Sequence, residues 1–149
     1  MTLKALQFLA VVLTALALVA PGAHLFALPN KIGLPQEQYF TVQAIYHGWA
    51  LLGVILIGAL LADLGLAVRQ RDQRVPFLLA LMAVVLMAAS LLVFFTWTYP
   101  ANQATANWTV APETWQALRR QWEFAHATSA ALQFLSLCSI VLSVLSWRR

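Results

Sequence analysis

Charge is what this chain has least of. Only 9% of its 149 residues are charged, against about a quarter in soluble globular proteins, while 62% are hydrophobic and the mean hydropathy is +0.77. That excludes an ordinary soluble domain and implies an integral membrane protein whose first partner is the lipid bilayer. Cysteine is nearly missing as well. Cys138 stands alone, so no intrachain disulfide and no CxxC metal pair can form, and its thiol reads as a small apolar packing group. The net charge of +4 and pI near 9.9 come from basic residues scattered at segment ends, without a long cluster or an aromatic-interleaved stripe. Nucleic acid is therefore excluded as a partner, and these residues read as membrane anchors.

What is present is four apolar stretches joined by short connections, at about 3–27, 40–68, 76–97 and 115–147. Each is long enough to cross a hydrocarbon core of about 30 Å, and 149 residues leave little room for anything else. The expectation is one all-α domain, a four-helix bundle integral to a cell membrane, with the inner membrane of a bacterium as its expected location. Pro21-Gly22 should kink the first span rather than end it, because backbone groups freed by proline can be satisfied inside a bundle. Lys4, the apolar run and the small residues from Ala20 to Ala23 also imitate a signal peptide, but a retained first span is the expectation. Pro76 reads as an early helix residue of the third span, and Tyr99-Pro100 as the breaker that ends it.

The basic residues give an orientation. Lys4, the Arg69 to Arg74 loop and Arg148-Arg149 belong on the cytoplasmic side, so both termini face the cytoplasm and the 28–39 and 98–113 loops lie outside. Lys31, Arg119 and Arg120 run against the rule. Asp63 is the one ionisable group well inside the cytoplasmic half, where it reads as interfacial or paired with an arginine. Gly53, Gly58 and Gly65, with Ala80, Ala83, Ala88 and Ala89, mark faces where helices approach closely, within one chain or in an oligomer.

Nearly all other polar residues gather at the outer end, with the histidines prominent among them. His24, His47 and His126 are the only three, each about 20 to 22 positions from a basic residue across an apolar stretch. At ~1.5 Å per residue they share one depth. A lone interfacial histidine is usually a hydrogen-bonding or packing residue. Three at one level suggest either ligands for a metal or haem or bases beside an organic substrate. On the fourth helix Trp115, Arg119, Trp122 and His126 recur at i+4, i+3 and i+4 and share a face, which Glu123 borders. Arg119 and Glu123 are four apart and positioned to pair. Glu123 and His126 have the E-x-x-H spacing of carboxylate metal sites, but a di-iron bundle needs a second copy that this chain lacks. Tryptophan and asparagine in the 98–115 loop serve either a well-folded turn or a binding lid.

These residues carry a resemblance. Tyr99-Pro100-Ala101-Asn102, then Asn107-Trp108, Trp115, Leu118-Arg119, Trp122-Glu123 and His126 resemble the signature of the anthrone oxygenase-like family of small four-span membrane proteins. His24 with Leu28-Pro29-Asn30, and Tyr46-His47-Gly48-Trp49, resemble its first loop and second span. The layout covers the whole chain, while the specific motif occupies about 30 residues. The family's name comes from fungal polyketide-pathway members that oxidise anthrones without a dedicated cofactor. The resemblance implies a fold and a site more directly than a reaction.

Two readings follow. In the first the protein is an oxygenase-like enzyme taking an apolar aromatic small molecule and no cofactor. His126 or His24 removes a proton, Arg119 stabilises the enolate with Glu123 beside it, and Trp115, Trp122, Tyr99, Asn102, Trp108 and Tyr46 line the substrate site. In the second it is a non-catalytic subunit that binds haem or a metal ion through His24, His47 or His126, or docks a partner in a membrane complex.

Overall fold

The computed structural model describes residues 1–148; Arg149, one of the terminal arginines used for topology, lies outside the described residues. The α-helices of the described chain, which holds no strand, are α1 (Leu3–Ala17), α2 (Val19–Lys31), α3 (Gln36–Gln43), α4 (Gly53–Arg69), α5 (Arg74–Val93), α6 (Tyr99–Ala104) and α7 (Trp115–Ser146). Four helical stretches, Leu3–Lys31, Trp49–Arg69, Arg74–Ala104 and Trp115–Ser146, are long and apolar enough to cross a membrane. They pack as an antiparallel ring, α1 on α4, α4 on α5, α5 on α7, and α7 back against α1 and α2.

Prolines set the breaks. Pro21 has no N–H for the carbonyl of Ala17 and its ring crowds that carbonyl, and α1 ends at Ala17, with α2 resuming at Val19. The expected kink is thus a one-residue break, and the stretch runs on past residue 27 to Lys31. Pro100, expected to end the third span near residue 97, does not. It leaves Thr96 without its α-helical donor, and a π turn over Phe94–Thr98 shifts the register so that the Tyr99 N–H bonds Phe94 O and α6 continues to Ala104. The second span also departs from the expected 40–68. Gly48 adopts φ 83°, with short 3-10 turns at Ala44–Tyr46 and Trp49–Leu52 on either side. The polar α3 is thereby separated from the apolar helix that begins at Trp49.

Polarity is inverted relative to a soluble bundle. Large apolar side chains point outward, among them Phe8, Phe26, Leu51, Val54 and Leu145, each more than 70% exposed. Such a surface suits lipid and would drive aggregation in water. The interior instead holds small residues, Ala10, Ala59, Ala80 and Ala83, and polar ones. On α7 the buried positions Ser129, Gln133, Ser136, Ile140 and Ser143 follow a 4-3-4-3 spacing, the seam of a left-handed bundle. Gln133 Nε2 donates to Ser90 Oγ at 2.8 Å, Ser136 Oγ to Ala83 O at 3.0 Å, and Ser143 Oγ to Pro76 O at 2.7 Å. These bonds fasten α7 to α5 where no hydrophobic effect operates between helices.

Of the close-approach glycines, Gly58 and Gly65 face Leu13 and Leu6 of α1, and Gly53 faces open space. Ala80 and Ala83 are buried, while Ala88 is exposed. Among the described residues Asp63 has no arginine partner: Thr14 Oγ1 donates to its carboxylate at 3.1 and 3.2 Å, and Asp63 is fully buried. Its position in α4 turns it toward α1.

A buried polar and aromatic cluster at the α3 end of the bundle

The end of the bundle carrying α3 and α6 collects a network that neither charge nor spacing alone would assemble. Lys31, the last residue of α2, sits at a helix C-terminus where a cation is favoured and is 3% exposed. Its Nζ lies 3.0 Å from Glu123 Oε1 and 3.5 Å from His24 Nδ1, and the ammonium also rests over the rings of Tyr46 and Trp122 at 4.7 and 5.2 Å. Tyr39, buried on α3, donates its hydroxyl to the same Glu123 Oε1 at 2.9 Å and accepts from Gln43 Nε2 at 2.7 Å. Burial above all, then the charge of Glu123 and its hydrogen bond, hold the Tyr39 phenol well above its ordinary pKa. Tyr46 is raised by the same two causes, burial first and then the charge of Glu123. Both phenols stay protonated at neutral pH, so Tyr39 remains a donor.

Two of the three histidines meet here. The rings of His24 and His126 are 4.2 Å apart between centroids, and Trp122 lies 4.6 and 4.2 Å from them. The Tyr46 ring lies 4.1 Å from His24, with Trp49 at 5.9 Å. Rings this close are in direct contact, so no further ring fits between them. His47, expected at the same depth, is exposed and joins none of these contacts. The left-handed turn at Gly48 separates its direction from that of Tyr46 and Trp49.

The geometry does not suit haem held between the two imidazoles. Two metal–nitrogen bonds of about 2 Å in line already span about 4 Å before any part of either ring is added, and the ring centroids themselves are only 4.2 Å apart. Among the described residues, no group of three or more His, Cys, Asp or Glu side chains is placed to hold a metal ion.

Arg119 and Glu123 do not pair, although four residues apart. Glu123 turns fully inward to Lys31, whereas Arg119 reaches across to donate from Nη1 to Leu34 O at 2.7 Å. Its guanidinium lies over Trp115 and Tyr39 at 4.8 and 5.3 Å. It ties the turn before α3 to α7 and sits outside the histidine cluster. Lys31, Tyr39 and Gln43 were the residues that sequence reasoning missed. The only signal for Lys31 was its violation of the charge rule.

The 98–115 segment builds one wall. Trp122 Nε1 donates to Asn102 Oδ1 at 2.8 Å. Thr105 Oγ1 donates to Ala101 O and accepts from the Trp108 N–H. Ala106, Asn107 and Trp108 then follow at φ 45°, 55° and 65°, three consecutive left-handed residues without a glycine. Left-handed conformation costs about 1–2 kcal/mol for each such residue. The return is the placement of the buried Trp108 indole 5.2 Å from the Tyr39 ring and 5.6 Å from Trp122. Of the expected lining residues, Trp122, Trp108, Trp115, Asn102 and Tyr46 gather here. Tyr99 does not: it is 44% exposed, its hydroxyl accepts from Gln103 Nε2, and its ring neighbours are Phe94 and Phe95. Searches against protein-family models, curated proteins and solved structures give no match to this chain.

Proposed function

We propose that this multi-pass membrane protein is an oxygenase-like enzyme acting on an apolar aromatic substrate, with the histidine cluster as its proton-transfer site at the outer end of the bundle. The observation that carries the reading is the contact of His24 and His126 beside the buried Lys31–Glu123 pair, within aromatic walls. An imidazole next to a fixed cation suits removal of a benzylic proton, because the base and the charge that steadies the resulting anion arrive together. Lys31, held by Glu123, is the cation beside His24, while Arg119, hydrogen-bonded to Leu34 O, stands outside the histidine cluster. The Lys31 ammonium has only donors, so a neutral His24 beside it accepts at Nδ1 and carries its proton on Nε2.

The resemblance to the anthrone oxygenase-like family supplies the reaction class. His126 accepts a proton from the substrate's CH2 carbon, the carbanion adds dioxygen, the peroxide anion takes the proton back from His126, and the hydroperoxide loses water to leave a carbonyl. The net change, CH2 plus O2 to C=O plus H2O, takes its electrons from the substrate and needs no other reductant. Because His24 and His126 touch, the substrate meets the cluster at its edge.

The test is anthrone oxidation by the purified protein in lipid vesicles, followed by the absorbance of anthraquinone and by oxygen uptake. The wild type should exceed protein-free vesicles, and His126→Ala should lose about 10²–10⁴-fold of that rate with its helical content intact. A wild type no faster than empty vesicles, or a variant as fast as wild type, sinks the reading.

A further inference from the structure

In the half of the bundle away from the histidines, α1 and α4 pack without closing the seam between them on its outward side. Gly58, Leu61, Gly65 and Arg69 recur at spacings of three, four and four, so they share one face of α4. Opposite them stand Leu13 and Leu6 of α1, whose methyls lie 3.6 and 3.8 Å from where a Cβ on Gly58 or Gly65 would sit. The missing side chains leave a groove of about 710 Å³ along the seam, lined by all six of these residues. Leu61 is 62% exposed and Leu6 only 8%, so the first stands on the rim and the second belongs to the floor. The one charged side chain in the lining is Arg69, the last residue of α4.

The dimensions match half a bilayer. Gly58 and Arg69 are eleven positions apart, about 16 Å at ~1.5 Å per residue, or half of a hydrocarbon core of about 30 Å. The groove therefore runs from mid-membrane to one surface, the reach of an acyl chain in a single leaflet, and its cation lies where that leaflet's headgroups begin. Among the described residues no carboxylate pairs with Arg69, whose guanidinium offers a planar set of donors suited to phosphate oxygens. A second copy of the chain suits the groove less well. Copies sharing one membrane orientation and seated groove to groove about a two-fold axis would bring their Arg69 side chains to the same end of the contact, cation beside cation.

We propose that the α1–α4 groove holds one acyl chain of an anionic phospholipid, with the lipid phosphate at Arg69. Lipid elsewhere meets outward-pointing leucine and valine, whereas a chain in the groove lies on glycine between two helices and gains dispersion contacts from both. The site is separate from the histidine cluster and independent of the proposed enzyme.

Native mass spectrometry of the full-length protein released from nanodiscs tests this, with phosphatidylglycerol and phosphatidylcholine of identical acyl chains in equal amounts. The wild type should retain one lipid per protomer, phosphatidylglycerol about fivefold over phosphatidylcholine, the gain expected of one arginine at a membrane surface. Arg69→Gln should abolish that preference, and Arg71→Gln, in the loop beyond the groove, should leave it unchanged. Gly65→Leu places a side chain on the groove floor and should lose both lipids with its helical content intact; where it does not fold, Arg69→Gln carries the test. Equal retention of the two lipids or retention of neither by the wild type overturns the proposal, and so does a folded Gly65→Leu that retains lipid as the wild type does. A preference lowered as much by Arg71→Gln as by Arg69→Gln overturns it in favour of diffuse attraction to the basic end of the bundle, and lipid-free dimers overturn it in favour of a second copy.

Discussion

At the scale of single residues, the Lys31–Glu123 pair governs the site. Both side chains are almost wholly buried, and removing one partner strands the other without its counter-charge. Lys31→Met should therefore destabilise the protein by about 3–5 kcal/mol, whereas the double variant Lys31→Met/Glu123→Leu should recover much of the loss. Thermal unfolding by circular dichroism in detergent measures both. A double variant as unstable as Lys31→Met would show that Glu123 matters through Tyr39 and not through the lysine. Tyr39 has its own signature. Its raised folded-state pKa means that the neutral phenol contributes stability fully present below the unfolded value of about 10, and lost as pH rises beyond it. Wild type should lose thermal stability between about pH 10 and 11 more steeply than Tyr39→Phe, which has no such proton to lose. Counting along helices put His24, His47 and His126 at one depth, and only His24 and His126 meet, because counting does not see the turn at Gly48 beside His47. Lys31 was not legible, because which way a residue at a helix end turns depends on the helix packed beside it. The Arg119–Glu123 pairing failed for the same reason: i to i+4 spacing permits a bond, but a buried partner on α2 supplied a better one.

At the scale of elements, the apolar stretches were plain in the sequence and their ends were not. Hydrophobicity counts residues and does not see φ. Gly48 at φ 83° turns what looked like one continuous second span into α3, two 3-10 turns and α4, and so frees Tyr39 and Gln43 to enter the site from a separate helix. A non-glycine residue there adopts a disfavoured conformation even though a Cβ would meet nothing within 4 Å. Gly48→Ala should accordingly cost about 1 kcal/mol, while Gly53→Ala, equally uncrowded but helical, should be neutral or stabilising by up to about 1 kcal/mol. Denaturant titration of the two variants side by side reads the difference, and equal effects would remove the argument that the turn defines the element boundary. Pro100 was misread for a related reason. Loss of one hydrogen bond can end a helix or be absorbed by a π turn, and only the neighbouring contacts decide. Here Gln121 on α7 donates to Trp97 O at 2.8 Å, holding the distorted turn against the bundle and carrying Asn102 to Trp122.

At the scale of the whole molecule, composition pointed to a membrane and the four apolar stretches to the number of spans, since a chain with so few charges has a surface suited to lipid. The orientation is a separate matter, and the position of Lys31 bears on it. A charge rule counts basic residues that must stay in water on one side of the membrane. Lys31 is buried against Glu123, so it is held inside the bundle rather than in water and drops out of the count. Arg119 is tied to Leu34 O and stacked on two rings, and Arg120 remains as the single exposed exception at that end of α7. Opposed to it are Lys4, Arg69, Arg71, Arg74 and Arg148 at the other end. On this count both termini and the 69–74 loop are expected on the cytoplasmic side, with the cluster at the outer end. Single cysteines placed at Gln73 and at Thr109 in a Cys138→Ser background test this in intact cells. A membrane-impermeant maleimide should label the Thr109 position and leave the Gln73 position unlabelled until the membrane is opened. The reverse pattern would put the cluster on the cytoplasmic face, where its substrate would have to come from inside the cell.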